Sequence, residues 1–193
     1  MALHDHTYAV IMAGGVGSRF WPMSRSGSPK QFLDILDRGR TLIQMTADRL
    51  EPTLPYDRMY VVTNVRYKDE VMAQLPDLPE DHILCEPFMR NTAPCLAYAH
   101  HRIAKNDPDA TIIVASADHL IEDEEGFREV LDVAVQQASE TAQLLTLGIT
   151  PTRPDTGYGY IQYEELPGAH DERLQQVRTF TEKPNKDLAE QFI

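Results

Sequence analysis

Cysteine is scarce in this 193-residue sequence, with Cys85 and Cys95 the only two. Two thiols are too few for a disulfide framework and their spacing is not that of a zinc site, so reduced, buried side chains are expected. No run of about 18 apolar residues occurs, which removes a transmembrane helix. The opening Met1-Ala2-Leu3-His4-Asp5-His6-Thr7 lacks the basic and apolar stretches of a signal peptide. A soluble, cytoplasmic protein without membrane contact is the expectation. Positive charge is also short, with 18 Lys and Arg against 30 Asp and Glu and a formal charge of -12. Non-specific nucleic-acid binding needs a broad positive field, so nucleic acid is excluded as a partner and any phosphate site has to be local. Internal repeats and low-complexity tracts are missing too.

What is present is an alternation of two textures. Nearly continuous apolar runs at Tyr8–Met12, Met59–Thr63, Ile83–Cys85, Thr111–Ala115 and Leu144–Leu147 read as parallel strands covered on both faces. Helical patterns lie between them. Thr41 and Gln44 have the form of a capping box ahead of Ile43, Ala47 and Leu50. Asn64 is placed to cap a helix carrying Tyr67, Val71 and Leu75, and Asn91 or Thr92 a third. A long helix is expected from Glu124 to Ala142, a strand at Val177–Thr181, and the start of another helix from Asn185. This alternation predicts right-handed βαβ units and an α/β fold with a mostly parallel central sheet flanked by helices, in one domain over residues 1–193. A helix only just begun between Asn185 and Ile193 predicts truncation at the C-terminus.

The first strand empties into Ala13-Gly14-Gly15-Val16-Gly17-Ser18-Arg19, where an open α/β sheet binds ligands. Glycines let backbone N–H groups approach anionic oxygens, and Arg19, Arg25 and Lys30 follow with no acidic residue among them. Two common nucleotide loops fail on residues. Phe20 stands where the dinucleotide fingerprint needs its third glycine, and no Gly-Lys-Ser/Thr closes a Walker loop. A nicotinamide enzyme is therefore disfavoured.

The longer string, Gly14-Gly15-Val16-Gly17-Ser18-Arg19-Phe20-Trp21-Pro22-Met23-Ser24-Arg25 followed by Pro29-Lys30-Gln31-Phe32-Leu33, resembles the N-terminal motif of the sugar nucleotidyltransferases. Its Trp-Pro and Pro-Lys-Gln form is similar to the mannose-1-phosphate guanylyltransferases among them. The resemblance implies the Rossmann-like nucleotidyltransferase fold and a loop of Ala13, Gly14, Gly15, Gly17 and Ser18 around a triphosphate. It also implies Arg19 assisting pyrophosphate departure and Lys30 on phosphate. Trp21 and Phe32 are expected to pack. Four further segments match in order. Glu86-Pro87-Phe88-Met89-Arg90-Asn91-Thr92 is similar to the segment that reaches the base, with Glu86 able to accept the N1–H and N2–H of guanine and Asn91 and Thr92 on base or ribose. Ser116-Ala117-Asp118-His119 makes Asp118 the implied Mg²⁺ ligand. The stretch through Tyr158 and Gly159 is similar to the sugar-side loop, and Glu182-Lys183-Pro184 to the motif that binds the sugar phosphate.

The activity so implied transfers GMP from GTP to mannose 1-phosphate, giving GDP-mannose and pyrophosphate, with Arg19, Lys30 and Asp118 as catalytic residues and a homodimer as candidate assembly. The implied second metal-binding aspartate lies beyond Ile193. Rival readings are a nucleotidyltransferase for another sugar phosphate or base, and a catalytically silent nucleotide-sugar-binding subunit.

Overall fold

The computed structural model describes residues 5–15, 20–25, 27–88, 90–141 and 143–193. Two compact units appear, Met1–Val135 and Gln136–Ile193.

The first unit is built on a four-stranded parallel sheet in the order β3-β2-β1-β4, from β1 (Thr7–Met12), β2 (Met59–Asn64), β3 (Ile83–Glu86) and β4 (Thr111–Ser116). Each strand comes from an apolar run, and alternate side chains enter opposite layers because the strand period is two. Ala9, Ile11, Met59, Val61 and Ile83 join Ile43, Ala47 and Leu50 of α1 (Leu42–Leu50) and Val71 of α2 (Lys68–Gln74) in one layer. Val10, Tyr60, Val62 and Leu84 meet Cys95, Ala99 and Ile103 of α3 (Thr92–Ala104) in the other. Leu131 and Val135 of α4 (Glu124–Glu140) return to the first layer. The expected double cover holds for β1 to β3. It fails at β4, one of the sheet's two edge strands, where Val114 is 44% exposed.

Local signals set several of these boundaries. The Thr41 hydroxyl accepts from Gln44 N–H while the Gln44 amide oxygen accepts from Thr41 N–H, so the capping box forms. Asn64 caps a single 3₁₀ turn ahead of α2 through a bond from Arg66 N–H. Asn91 stands at the N-cap of α3 but makes no capping hydrogen bond, because its φ of 66° departs from the extended backbone that capping requires.

In the second unit, β5 (Gly159–Glu165) and β6 (Gln175–Glu182) pair as an antiparallel ribbon, followed by α5 (Lys186–Gln191) capped by Asn185. Leu144–Leu147 does not form the expected strand. Leu144 is fully exposed, and no described residue makes a ladder with the run, without which an apolar stretch has no reason to stay extended. No helix among the described residues is long and apolar enough to cross a membrane.

Candidate functional site

In the sheet order the chain moves outward from β1 to β2 and β3, then returns to place β4 on the other side of β1. This reversal splits the loops at the carboxyl ends of β1 and β4 and opens a crevice between them. A cleft of about 430 Å³ lies there. Its walls come from Met12–Gly15 after β1, Lys30 and Gln31, Glu86 at the end of β3, the first turn of α3, and Ser116–Asp118 after β4.

Eight of the residues expected to hold nucleotide share this cleft: Ala13, Gly14, Gly15, Lys30, Glu86, Asn91, Thr92 and Asp118. Gly17, Ser18 and Arg19 lie outside the described residues. Arg25 is exposed and takes no part in the lining, its backbone being paired with Ser28. Trp21, expected to pack, is 76% exposed. Phe32 does pack, buried with its ring 5.8 Å from that of Tyr67.

The electrostatics differ across the cleft. On one wall Asp118 is held by the Lys30 ammonium and by the Ser116 hydroxyl. Burial opposes its ionisation, but these two hydrogen bonds outweigh it and keep the carboxyl below the usual range. Lys30 also stands over the Phe20 ring, 5.4 Å from its centroid. Behind this wall, Arg49 of α1 is almost fully buried and donates to the His119 carbonyl at 3.2 Å, tying down the turn that follows Asp118. The His119 residue is otherwise exposed. On the other wall Glu86 is buried at 8% exposure, and desolvation pushes its carboxyl up. Cys95 lies in the same wall. Burial, and then the Glu86 charge, push its thiol up to about 11.

Sequence reasoning missed Met12, Gln31, Cys95, Ser116 and Ala117 as lining residues. Gln31 was detectable, since a polar residue between Lys30 and the core residue Phe32 has to find a buried partner. It finds the Ala13 carbonyl at 2.9 Å, which also accepts from the Thr63 hydroxyl at 2.9 Å.

Within the second unit, the expected sugar-phosphate residues meet at one end of the ribbon. Gly159 pairs with Glu182, Lys183 N–H donates to the Tyr158 carbonyl at 3.2 Å, and Lys183 Nζ is 3.0 Å from Glu182 Oε1. A Cβ on Gly159 would come within 2.9 Å of Glu182 Oε2, so glycine is what lets that carboxylate lie across the strand. Lys183 has a φ of 45°, a conformation seldom adopted by non-glycine residues.

Comparison with known proteins finds relatives along nearly the whole chain. Mannose-1-phosphate guanylyltransferase of Escherichia coli (strain K12) is 40% identical over 191 residues, covering 96% of this chain and 39% of that protein. The Klebsiella pneumoniae enzyme of the same name is 39% identical over 186 residues, covering 95% and 39%. The chain therefore spans well under half the length of these curated relatives. The crystal structure of mannose-1-phosphate geranyltransferase from Thermus thermophilus superposes with a TM-score of 0.84 at 34% identity, over 97% of this chain and 53% of that one. The family model described as nucleotidyl transferase matches residues 8–193, from the first strand through both units, and the chain belongs to that family.

Proposed function

We propose that this chain carries the nucleotide-binding and transfer site of a mannose-1-phosphate guanylyltransferase, which joins GMP from GTP to mannose 1-phosphate and releases pyrophosphate. The observation that carries the reading is the placement of Glu86 on one wall of a single cleft and of Lys30 and Asp118 on the other. A guanine seated on Glu86 presents two N–H donors to a carboxylate, and its phosphates then run toward the wall that carries Lys30 and Asp118. The relatives that share this segment bear the name of that activity.

In the reaction, a phosphate oxygen of mannose 1-phosphate attacks the α-phosphorus of GTP. The new P–O bond forms as the bond to the bridging oxygen of the β-phosphate breaks, and the electron pair leaves with pyrophosphate. The nucleophile is ionised at neutral pH, so no general base is needed and catalysis rests on alignment and charge neutralisation. Lys30 is assigned to a phosphate oxygen, with which Asp118 competes for its ammonium. Arg19 is assigned to the departing pyrophosphate. Tyr158, Gly159, Glu182 and Lys183 are assigned to the sugar phosphate, supported by their clustering within the second unit.

The donor set also fits a divalent cation. Asp118 is an ionised carboxylate on the cleft wall, and among the described residues no cluster of three or more metal-binding side chains occurs. Mg²⁺ typically takes one or two carboxylates and fills its remaining positions with phosphate oxygens and water. Asp118 would hold it, and when bound it would neutralise charge building on the phosphates. The two unpaired thiols agree with a reducing, cytoplasmic setting.

Titration calorimetry with GTP, ATP and UTP, together with pyrophosphate release in the presence of mannose 1-phosphate and Mg²⁺, tests the assignment. Selective GTP binding and release dependent on mannose 1-phosphate are expected. Equal affinity for the three nucleotides would overturn the guanine assignment.

A further inference from the structure

Thr63 lies at the end of β2 with no exposed surface and is absent from the cleft wall, yet its hydroxyl donates to the carbonyl of Ala13, which is in that wall. Gln31, 2% exposed, donates to the same oxygen from the other side of the chain, and both distances are 2.9 Å. The residue is fixed at its other end as well, since Ala13 N–H donates to the Val62 carbonyl at 2.8 Å. Both lone pairs of one buried carbonyl are thus committed to side chains, and loss of either donor would leave that peptide less firmly held.

The peptide in question joins Ala13 to Gly14. In a planar trans peptide the C=O and the N–H point in opposite directions. With the Ala13 oxygen turned toward Thr63 and Gln31, the Gly14 N–H is turned away from them, and no described residue accepts from it. Gly14 is a cleft-lining residue. Two donors on the oxygen also draw electron density through the amide and make its N–H a stronger donor.

We propose that Thr63 and Gln31 are positioning residues that set and polarise the Ala13–Gly14 peptide, so that the Gly14 N–H is a preformed donor to an anionic phosphate oxygen in the cleft. The inference rests on the reading of this cleft as a nucleotide site. It adds to that reading a buried residue that cannot touch the ligand itself.

Thr63→Val keeps the shape and removes the donor, whereas Thr63→Ser keeps the donor. Calorimetry on the whole chain compares GTP with guanosine, which has the base and ribose but no phosphate. Loss of one neutral hydrogen bond predicts a roughly three- to tenfold weaker GTP affinity in Thr63→Val, unchanged guanosine affinity, and recovery in Thr63→Ser. The Gly14 amide resonance, followed by ¹⁵N–¹H correlation, should move upfield in Thr63→Val and return in Thr63→Ser. Unchanged GTP affinity, or equal losses for GTP and guanosine, would overturn the proposal. Failure of the unsubstituted chain to bind GTP would instead overturn the nucleotide reading, and the Gly14 resonance then decides the positioning role, an unmoved signal sinking it. Should Thr63→Val not fold, Gln31→Met removes the second donor to the same oxygen and is held to the same amide readout.

Discussion

Glu86→Gln should make the protein more stable at neutral pH and a worse binder of GTP. The residue ends β3 at 8% exposure, and burial pushes its carboxyl up. A folded-state value raised above the unfolded one means that the native state holds the proton more tightly. Stability therefore falls as pH rises from the ordinary glutamate value, about 4.3, through the raised one. The neutral amide removes that cost, so the variant should melt higher than the parent at pH 7.5, with the gap closing below about pH 4. Binding moves the other way. The carboxylate offers two acceptors to the guanine N1–H and N2–H, whereas the glutamine amide offers one and sets its own N–H against a guanine donor. Losing one hydrogen bond to a charged acceptor costs about 1.5–3 kcal/mol, or roughly 10- to 150-fold in Kd. Inosine triphosphate, which lacks the 2-amino group, should suffer clearly less from the substitution. Calorimetry at pH 8 with GTP, ITP and ATP reads the three costs, and thermal melts between pH 4 and 8 read the stability. Equal losses for all three nucleotides would refute the pairing with guanine, and a lower melting temperature at pH 7.5 would refute the burial argument.

Three other outcomes follow from the same geometry. With its thiol pushed up to about 11 from an ordinary 9.0, Cys95 should carry about a hundredfold less thiolate at pH 8, so iodoacetamide labelling followed by mass spectrometry should show slow modification; a labelling midpoint below pH 9 would contradict this. Burial opposes ionisation of Asp107, but hydrogen bonds from His6, at 2.8 Å, and Tyr8 outweigh it and hold the carboxyl below its usual range. That contribution is present above the ordinary aspartate value and disappears as pH falls through the depressed one, so the stability difference between the parent and Asp107→Asn in urea titrations should vanish in acid. Ile43 has no exposed surface in the larger core, and Ile43→Ala should cost about 2–5 kcal/mol in chemical denaturation, a loss under about 1 kcal/mol showing that the core collapses around the gap.

The parts of the fold legible in the sequence are those decided by near neighbours. The runs at β1, β2 and β3, and the Thr41–Gln44 box, depend on residues within a few positions, and each formed where expected. Leu144–Leu147 is as apolar as any of them, yet a strand is defined by a partner that its own residues do not name. Asn91 has the right side chain for a cap and the wrong backbone, and Trp21 has a core side chain at an exposed position. In each case side-chain type was read correctly and tertiary context decided the outcome.

The site divides in the same way, and Lys30-Gln31-Phe32 shows why. The tripeptide is one 3₁₀ turn, in which three residues complete a revolution and successive side chains leave in different directions. Lys30 goes to Asp118 in the cleft, Gln31 to the Ala13 carbonyl beneath it, and Phe32 to Tyr67 in the core. A matching string of letters identifies the turn without saying which of its residues touches ligand. The divergence separates the three side chains by their surroundings. On the proposed reading Lys30 answers to the ligand's charge, while Gln31 holds the shape of the loop and Phe32 the packing that fixes the turn against the sheet. Substitutions at the three positions should then fail in three distinguishable ways: Lys30→Met in phosphate affinity with an unmoved Gly14 amide, Gln31→Met in the Gly14 amide, and Phe32→Ala first in stability, by about 3–5 kcal/mol. A common loss of stability across all three would mean that the turn acts as a single structural plug and that its charge and its amide were incidental to the cleft.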